Sequence, residues 1–162
     1  MKMDSGKELP QRKRLRLKNF DYSTPGAYFI TICTHNRKCT LSRVVGAIHE
    51  SPEIELTDYG KITDETIRNI PERYKATVDR YVIMPDHIHV IIFLDPDKYI
   101  KRKDGSSKAP TPTNEMLPHI ISTFKRFCNK EIGKNIFQRG YIEHIVRDRN
   151  DYETRKRYTF PP

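Results

Sequence analysis

Two histidines, His87 and His89, stand one residue apart within Tyr81 to Leu94, YVIMPDHIHVIIFL, a stretch that is apolar apart from a Pro85-Asp86 break. In an extended strand, residues i and i+2 share a face, so the two imidazoles stand side by side. The strand continues as Val90, Ile91, Ile92, Phe93 and Leu94 and is therefore buried on part of both faces. A divalent cation is one economical reason for adjacent imidazoles there, since neutral imidazole is the commonest metal ligand. The plain alternative is a pair of strand histidines hydrogen-bonded to neighbours. A metal in a basic protein suggests phosphoryl transfer, the ion acting as a Lewis acid on a phosphate oxygen. Two histidines do not complete such a site, and a further donor from Asp, Glu, Asn, Gln or water is required. Asp86 is adjacent, but a regular strand would turn its side chain away from His87.

The sequence has no Ser-His-Asp or Cys-His pattern and no glycine-rich phosphate loop. That leaves tyrosine, of which there are nine. A phenol with a pKa of about 10 is a poor nucleophile unless a metal or basic neighbours steady the phenolate. Tyr158 lies in the densest C-terminal basic cluster, beside Arg155, Lys156 and Arg157, with Tyr152 and Tyr141 as competitors. For each of them, simple packing is the alternative.

Lys and Arg number 30 against 21 Asp and Glu, a formal charge of +9, which points to a polyanion and most simply to nucleic acid. A merely solubilising charge would look the same. At 162 residues the chain is long enough for one domain with a real core. Three cysteines, Cys33, Cys39 and Cys128, form no disulfide framework and fit free thiols in a reducing cytoplasm. Cys33, His35 and Cys39 lack the second half of a zinc site. There is neither an apolar signal region nor a run long enough to span a bilayer, so a soluble cytoplasmic protein is expected.

Several elements must position the histidines. Residues 1–19 form a basic arm carrying Arg12, Lys13, Arg14 and Arg16, either a solvated tail or a strap across a phosphate backbone. A single domain over residues 20–158 follows. Ala27 to Thr34 reads as a first strand and Arg43 to His49 as a second, paired to the first through a turn around His35 to Lys38. His35 and His49 read as ordinary surface or edge residues. Thr57 opens a helix that Pro71 closes. Tyr74 to Met84 and His87 to Leu94 form an antiparallel hairpin. Residues 95–114 are a flexible loop. Leu117, Ile120, Ile121, Phe124, Cys128 and Ile132 then recur at helical spacing, with Gly133 ending the helix. Its Lys125 and Arg126 fall off the apolar face and, with Arg139 beyond it, are candidate DNA contacts. Tyr141 to Arg147 is a fifth strand, and Asn150 or Asp151 caps a last helix through Arg157. The order predicts an α+β fold with a ferredoxin-like, antiparallel sheet and helices mainly on one face.

The segment YVIMPDHIHVIIFL closely resembles the His-hydrophobic-His strand of single-tyrosine HUH transposases, with the REP-associated tyrosine transposases the best match. FDYSTPGAYFITICTHNR, LTDYGKI, IISTFKRFCNKEIG and FQRGYIEHIVRDRNDYE agree in order, so the likeness runs from about residue 10 to residue 158. The resemblance implies a metal-dependent single-stranded DNA endonuclease and strand transferase acting at hairpin or palindromic repeat DNA. In that chemistry Mg²⁺ or Mn²⁺ sits on His87 and His89, and Tyr158 forms a 5′-phosphotyrosine link. Tyr158 matches the nucleophile by following Arg147-Asp148 and Asp151-Tyr152. The family carries Asn or Gln four residues after the tyrosine as a third ligand; here that position is Pro162, and Thr159 to Pro162 is expected to be an atypical, truncated end. The resemblance leaves monomer and homodimer open. Two other readings stand beside it: a transposase remnant that only binds structured DNA, and an RNA-binding ferredoxin-like module that stacks bases on sheet aromatics.

Overall fold

The computed structural model describes residue 17 and residues 20–46, 53–74, 76–95 and 116–160. The basic arm with Arg12, Lys13, Arg14 and Arg16, nearly all of the 95–114 loop, His49, and Pro162 lie outside the described residues. Four strands form the main sheet: β1 (Gly26–Cys33), β4 (Ala76–Ile83), β5 (His87–Leu94) and β6 (Ile142–Val146). Their order is β4-β5-β1-β6 with every neighbour antiparallel. In chain order this is the second, third, first and fourth strand, the ferredoxin-like arrangement with β1 and β5 at the centre.

The predicted second strand does not join this sheet. β2 (Ser42–Val45) pairs instead with β3 (Glu53–Leu56), a strand the sequence pattern did not suggest, in a separate two-stranded ribbon. Both sides of β1 are already occupied, by β5 and β6. The turn after β1 leads away from it, with Asn36 and Arg37 both left-handed at φ 53° and 55°.

Alternation along the strands sorts the sheet into two faces. Tyr28, Ile30 and Ile32 of β1 and Ile88, Val90, Ile92 and Leu94 of β5 point into one continuous core. That core is closed by α1 (Asp58–Arg68), α2 (Ile70–Tyr74) and α3 (Met116–Ile132) through Ile67, Ile70, Leu117, Ile120, Ile121, Phe124 and Cys128. Full burial of each such isoleucine or leucine contributes about 1.5–3 kcal/mol. Thr57 caps α1, accepting from the Gly60 N–H, and its hydroxyl lies within hydrogen-bond reach of Thr40 O and Leu41 O. Gly60 is required there, because a Cβ would stand 2.0 Å from Leu41 O. Pro71 does not end the helical region but sits in the first turn of α2, where a missing N–H costs nothing. The first N–H groups of α3 are taken by Ser23 Oγ and Tyr22 O, and Gly133 (φ +82°) ends it.

The other face carries His87, His89, Ile91 and Phe93 of β5 against Cys33, Thr31, Phe29 and Ala27 of β1. Here lies α4 (Arg149–Arg157), so most helices cover one face and a single short one crosses the other. Its cap is Asp148, not Asn150 or Asp151 as the sequence suggested, with the carboxylate accepting from Asp151 N–H. No side chain of α4 is buried.

Candidate functional site

The two imidazoles meet as the strand alternation requires, with ring centroids 4.6 Å apart at 72°. Each has its Nδ1 occupied. His87 Nδ1 is 2.6 Å from Asp86 Oδ1, and because an ionised carboxylate only accepts, His87 donates. His89 Nδ1 is 2.9 Å from the hydroxyl of Thr31, its cross-strand partner. Among the described residues neither Nε2 has a hydrogen-bond partner. Anchoring Nδ1 in this way orients an imidazole and leaves the Nε2 lone pair for a metal. Asp86 does not point away from His87 as a regular strand would require, because Pro85-Asp86 is a bend between β4 and β5.

Burial, then the neighbouring His87 and Arg37, pushes the His89 pKa down to about 4. His89 is therefore neutral at pH 7, the protonation state in which it ligates. The donor set fits a divalent ion: two fixed imidazole nitrogens on one strand. No third His, Cys, Asp or Glu joins them among the described residues.

Arg37 frames this pair, a residue the sequence analysis did not single out. Its Nε is 2.8 Å from Asp86 Oδ2 and its Nη1 is 2.9 Å from Cys33 Sγ. Asp86 thus orients His87 with one oxygen and holds Arg37 with the other. The two consecutive left-handed residues are what bring the guanidinium back over the end of β1. Thr31 was equally silent in sequence, because its role depends on cross-strand register.

Of the three tyrosines, Tyr158 is the one at the histidines. It follows α4 directly, its ring lying 6.3 Å from His89 and 6.2 Å from Phe29 by centroids, and it is 55% exposed. Tyr152 donates its hydroxyl to Asp79 at 2.6 Å and packs its ring on Phe93 at 6.2 Å, holding the start of α4 to β4 and β5. Tyr141 lies against Lys125, 5.9 Å from its Nζ.

A second tie secures α4 in its first turn. His144 Nε2 on β6 is 2.7 and 2.9 Å from the two Asp151 oxygens. Asp151 also accepts from the Arg147 N–H and from Arg155 Nε. Burial opposes its charge, but hydrogen bonds from His144 and the Arg147 N–H hold its pKa below the usual carboxylate range. Arg155 in turn lies 5.8 Å over the Phe29 ring. The Asp151-Tyr152 pair visible in the sequence is therefore a pair of anchors for the helix that carries Tyr158.

The predicted basic contacts separate. Arg126 and Arg139 are exposed and line an open concavity of about 770 Å³ on the outer side of α3, together with Lys130 and Lys134. Lys125 also lines it, but donates to Gln138 O at 2.8 Å and Gly140 O at 2.6 Å, and burial lowers its pKa to about 8. One wall of the concavity, the segment after α3, is bonded to the end of β1 through Gln138 N–H to Cys33 O. No helix among the described residues is long and apolar enough to cross a membrane.

The α+β fold with its four-stranded antiparallel sheet is that of a solved REP-associated tyrosine transposase bound to a REP hairpin. That structure superposes with a TM-score of 0.60 at 19% identity, over 89% of this chain and 69% of the other. A Haemophilus influenzae protein of uncharacterised function is 30% identical over 157 residues, covering 87% of this chain and 82% of its own. Another protein of that organism, described as a REP-associated tyrosine transposase, is 27% identical over 149 residues, 86% of this chain and 71% of its own. No family model matches the chain. The chain belongs to the REP-associated tyrosine transposase family.

Proposed function

We propose that this transposase cleaves and rejoins single-stranded DNA next to a hairpin, with Tyr158 as nucleophile and His87 and His89 as holders of Mg²⁺ or Mn²⁺. The observation that carries the reading is the Tyr158 ring 6.3 Å from His89, which is itself 4.6 Å from His87, on one sheet face. His87 and His89 would hold the divalent ion through Nε2, and when bound it would supply Lewis-acid polarisation of a phosphate oxygen. The chain's own groups do the rest. Asp86 and Thr31 fix the imidazoles, and the ties on α4 hold Tyr158 over them. Tyr158 Oη bonds to the phosphorus and gives its proton to solvent. The P–O3′ bond breaks, and the departing oxygen takes up a proton to become a free 3′-hydroxyl. The 5′-phosphotyrosine conserves the bond energy for reversal onto another strand. The basic concavity with Arg126, Lys130, Lys134 and Arg139 supports the reading that a DNA backbone docks beside the site. The hairpin carried by the related solved structure is the natural probe.

The test is incubation with hairpin DNA bearing single-stranded flanks and Mg²⁺ or Mn²⁺. A covalent protein–DNA adduct is expected, lost in Tyr158→Phe and in His87→Ala. An adduct that persists in Tyr158→Phe refutes the nucleophile. Salt-sensitive hairpin binding with no adduct under either metal favours the second reading, a transposase that only binds structured DNA. The specific observation behind that second reading is the lack of a third His, Cys, Asp or Glu donor among the described residues.

A further inference from the structure

Phe160 takes no part in the core, yet its backbone is fixed. The turn after α4 is closed by Thr159 N–H and Thr159 Oγ1 on Lys156 O and by Phe160 N–H on Arg157 O. Thr159 is buried at 6%, while the rings on either side of it, Tyr158 and Phe160, are 55% and 51% exposed. The Phe160 ring has its contact with a cation: the Arg80 guanidinium lies 5.1 Å from its centroid. Arg80 is on β4 opposite Ile91, next to Asp79, which accepts from the Tyr152 hydroxyl. It therefore lies at the margin of the same sheet face that carries His89 and Tyr158.

We propose that Phe160, backed by Arg80, is a stacking platform for an unpaired base flanking the phosphate attacked by Tyr158. The proposal rests on the reading above that the site takes single-stranded DNA. A ring serving only to anchor the turn would be expected in the position of Thr159, out of water. Here the anchor is a small polar residue, and half of the aromatic surface is left in solvent two residues from the tyrosine. Every base offers a π-face, so an exposed ring accepts any base that can leave the duplex. A guanidinium on the ring adds charge where the next phosphate must pass. The platform thus selects for an unpaired nucleotide at one position.

The experiment measures binding of a fluorescent hairpin by anisotropy in metal-free buffer. The DNA carries single-stranded flanks, either intact or with one abasic position moved through them. Phe160→Ala is expected to weaken binding of the intact flanked hairpin by about 5- to 150-fold, the range supplied by aromatic–base stacking. Phe160→Tyr is expected to retain affinity, and Phe160→Leu, which keeps apolar bulk without a ring, to lose it. One abasic position should weaken the wild type by the same factor and the Ala variant no further. Equal loss by Phe160→Ala on every DNA, abasic or intact, overturns the platform, as does wild-type affinity in the Leu variant. If the abasic coupling is seen but no adduct forms with Mg²⁺ or Mn²⁺, the phosphotyrosine reading falls and the platform stands. If the adduct forms and the coupling is absent, the platform alone falls.

Discussion

Asp151→Ala should detach the helix that carries Tyr158 while leaving the body of the fold intact. The carboxylate accepts from His144 Nε2, the Arg147 N–H and Arg155 Nε, at 2.7, 3.1 and 3.3 Å respectively. The first two are each worth about 1 kcal/mol net. The long contact to a partly exposed arginine adds about 0.5 kcal/mol after solvent screening. The sum, about 2–3 kcal/mol, corresponds to a 30- to 150-fold shift in the docked-to-undocked ratio of α4. Because α4 buries no side chain, little apolar burial offsets that loss, and Tyr152 on Asp79 becomes the main remaining tie. The core cluster contains no residue of α4, so global unfolding should move little. Single-turnover adduct formation should slow at least tenfold. Amide hydrogen exchange should lose protection in residues 149–158 while β1 and β5 keep theirs. A wild-type rate in a variant whose α4 amides have lost protection would refute the reasoning, since Tyr158 would then reach its position without the docked helix.

Other expectations concern the histidines and the core. Thr31→Val removes the partner of His89 Nδ1 and should weaken Mn²⁺ binding about 10- to 100-fold by calorimetry, with the melting temperature nearly unchanged. The depressed His89 pKa makes stability pH-dependent in a definite window. Between about 6.5 and about 4 the unfolded chain takes up a proton that the folded site refuses, so stability should be full above 6.5 and fall as pH drops to 4. The loss should be about 1–2 kcal/mol after discounting for partial exposure, and His89→Gln should flatten it in urea titrations. Gly60→Ala would force a Cβ against Leu41 O and should destabilise by about 1–3 kcal/mol, read as a lower urea midpoint.

Much of this protein was legible before any coordinates. The near-continuous apolar run and the Pro85-Asp86 break bounded β5 at His87 and Leu94, and an i, i+2 pair on a strand must share a face. The spacing of Leu117, Ile120, Ile121, Phe124 and Cys128 likewise dictated the buried stripe of α3. The ordered motifs gave the family and pointed to Tyr158. What the pattern could not give were pairings between distant segments. β2 looked like a neighbour of β1, but each side of β1 holds only one strand, and the places went to β5 and β6. Thr31, Arg37, Asp86, His144 and Asp151 are ordinary residues in isolation. Only antiparallel register sets Thr31 opposite His89, and only the left-handed turn at Asn36 and Arg37 returns a guanidinium to Asp86. Local propensity and spacing act within about one turn or one strand, so the sequence by itself determined which residues are candidates for the chemistry. The tertiary structure decided what holds them in place, because hydrogen bonds such as those of His89 and Tyr152 close across long stretches of chain.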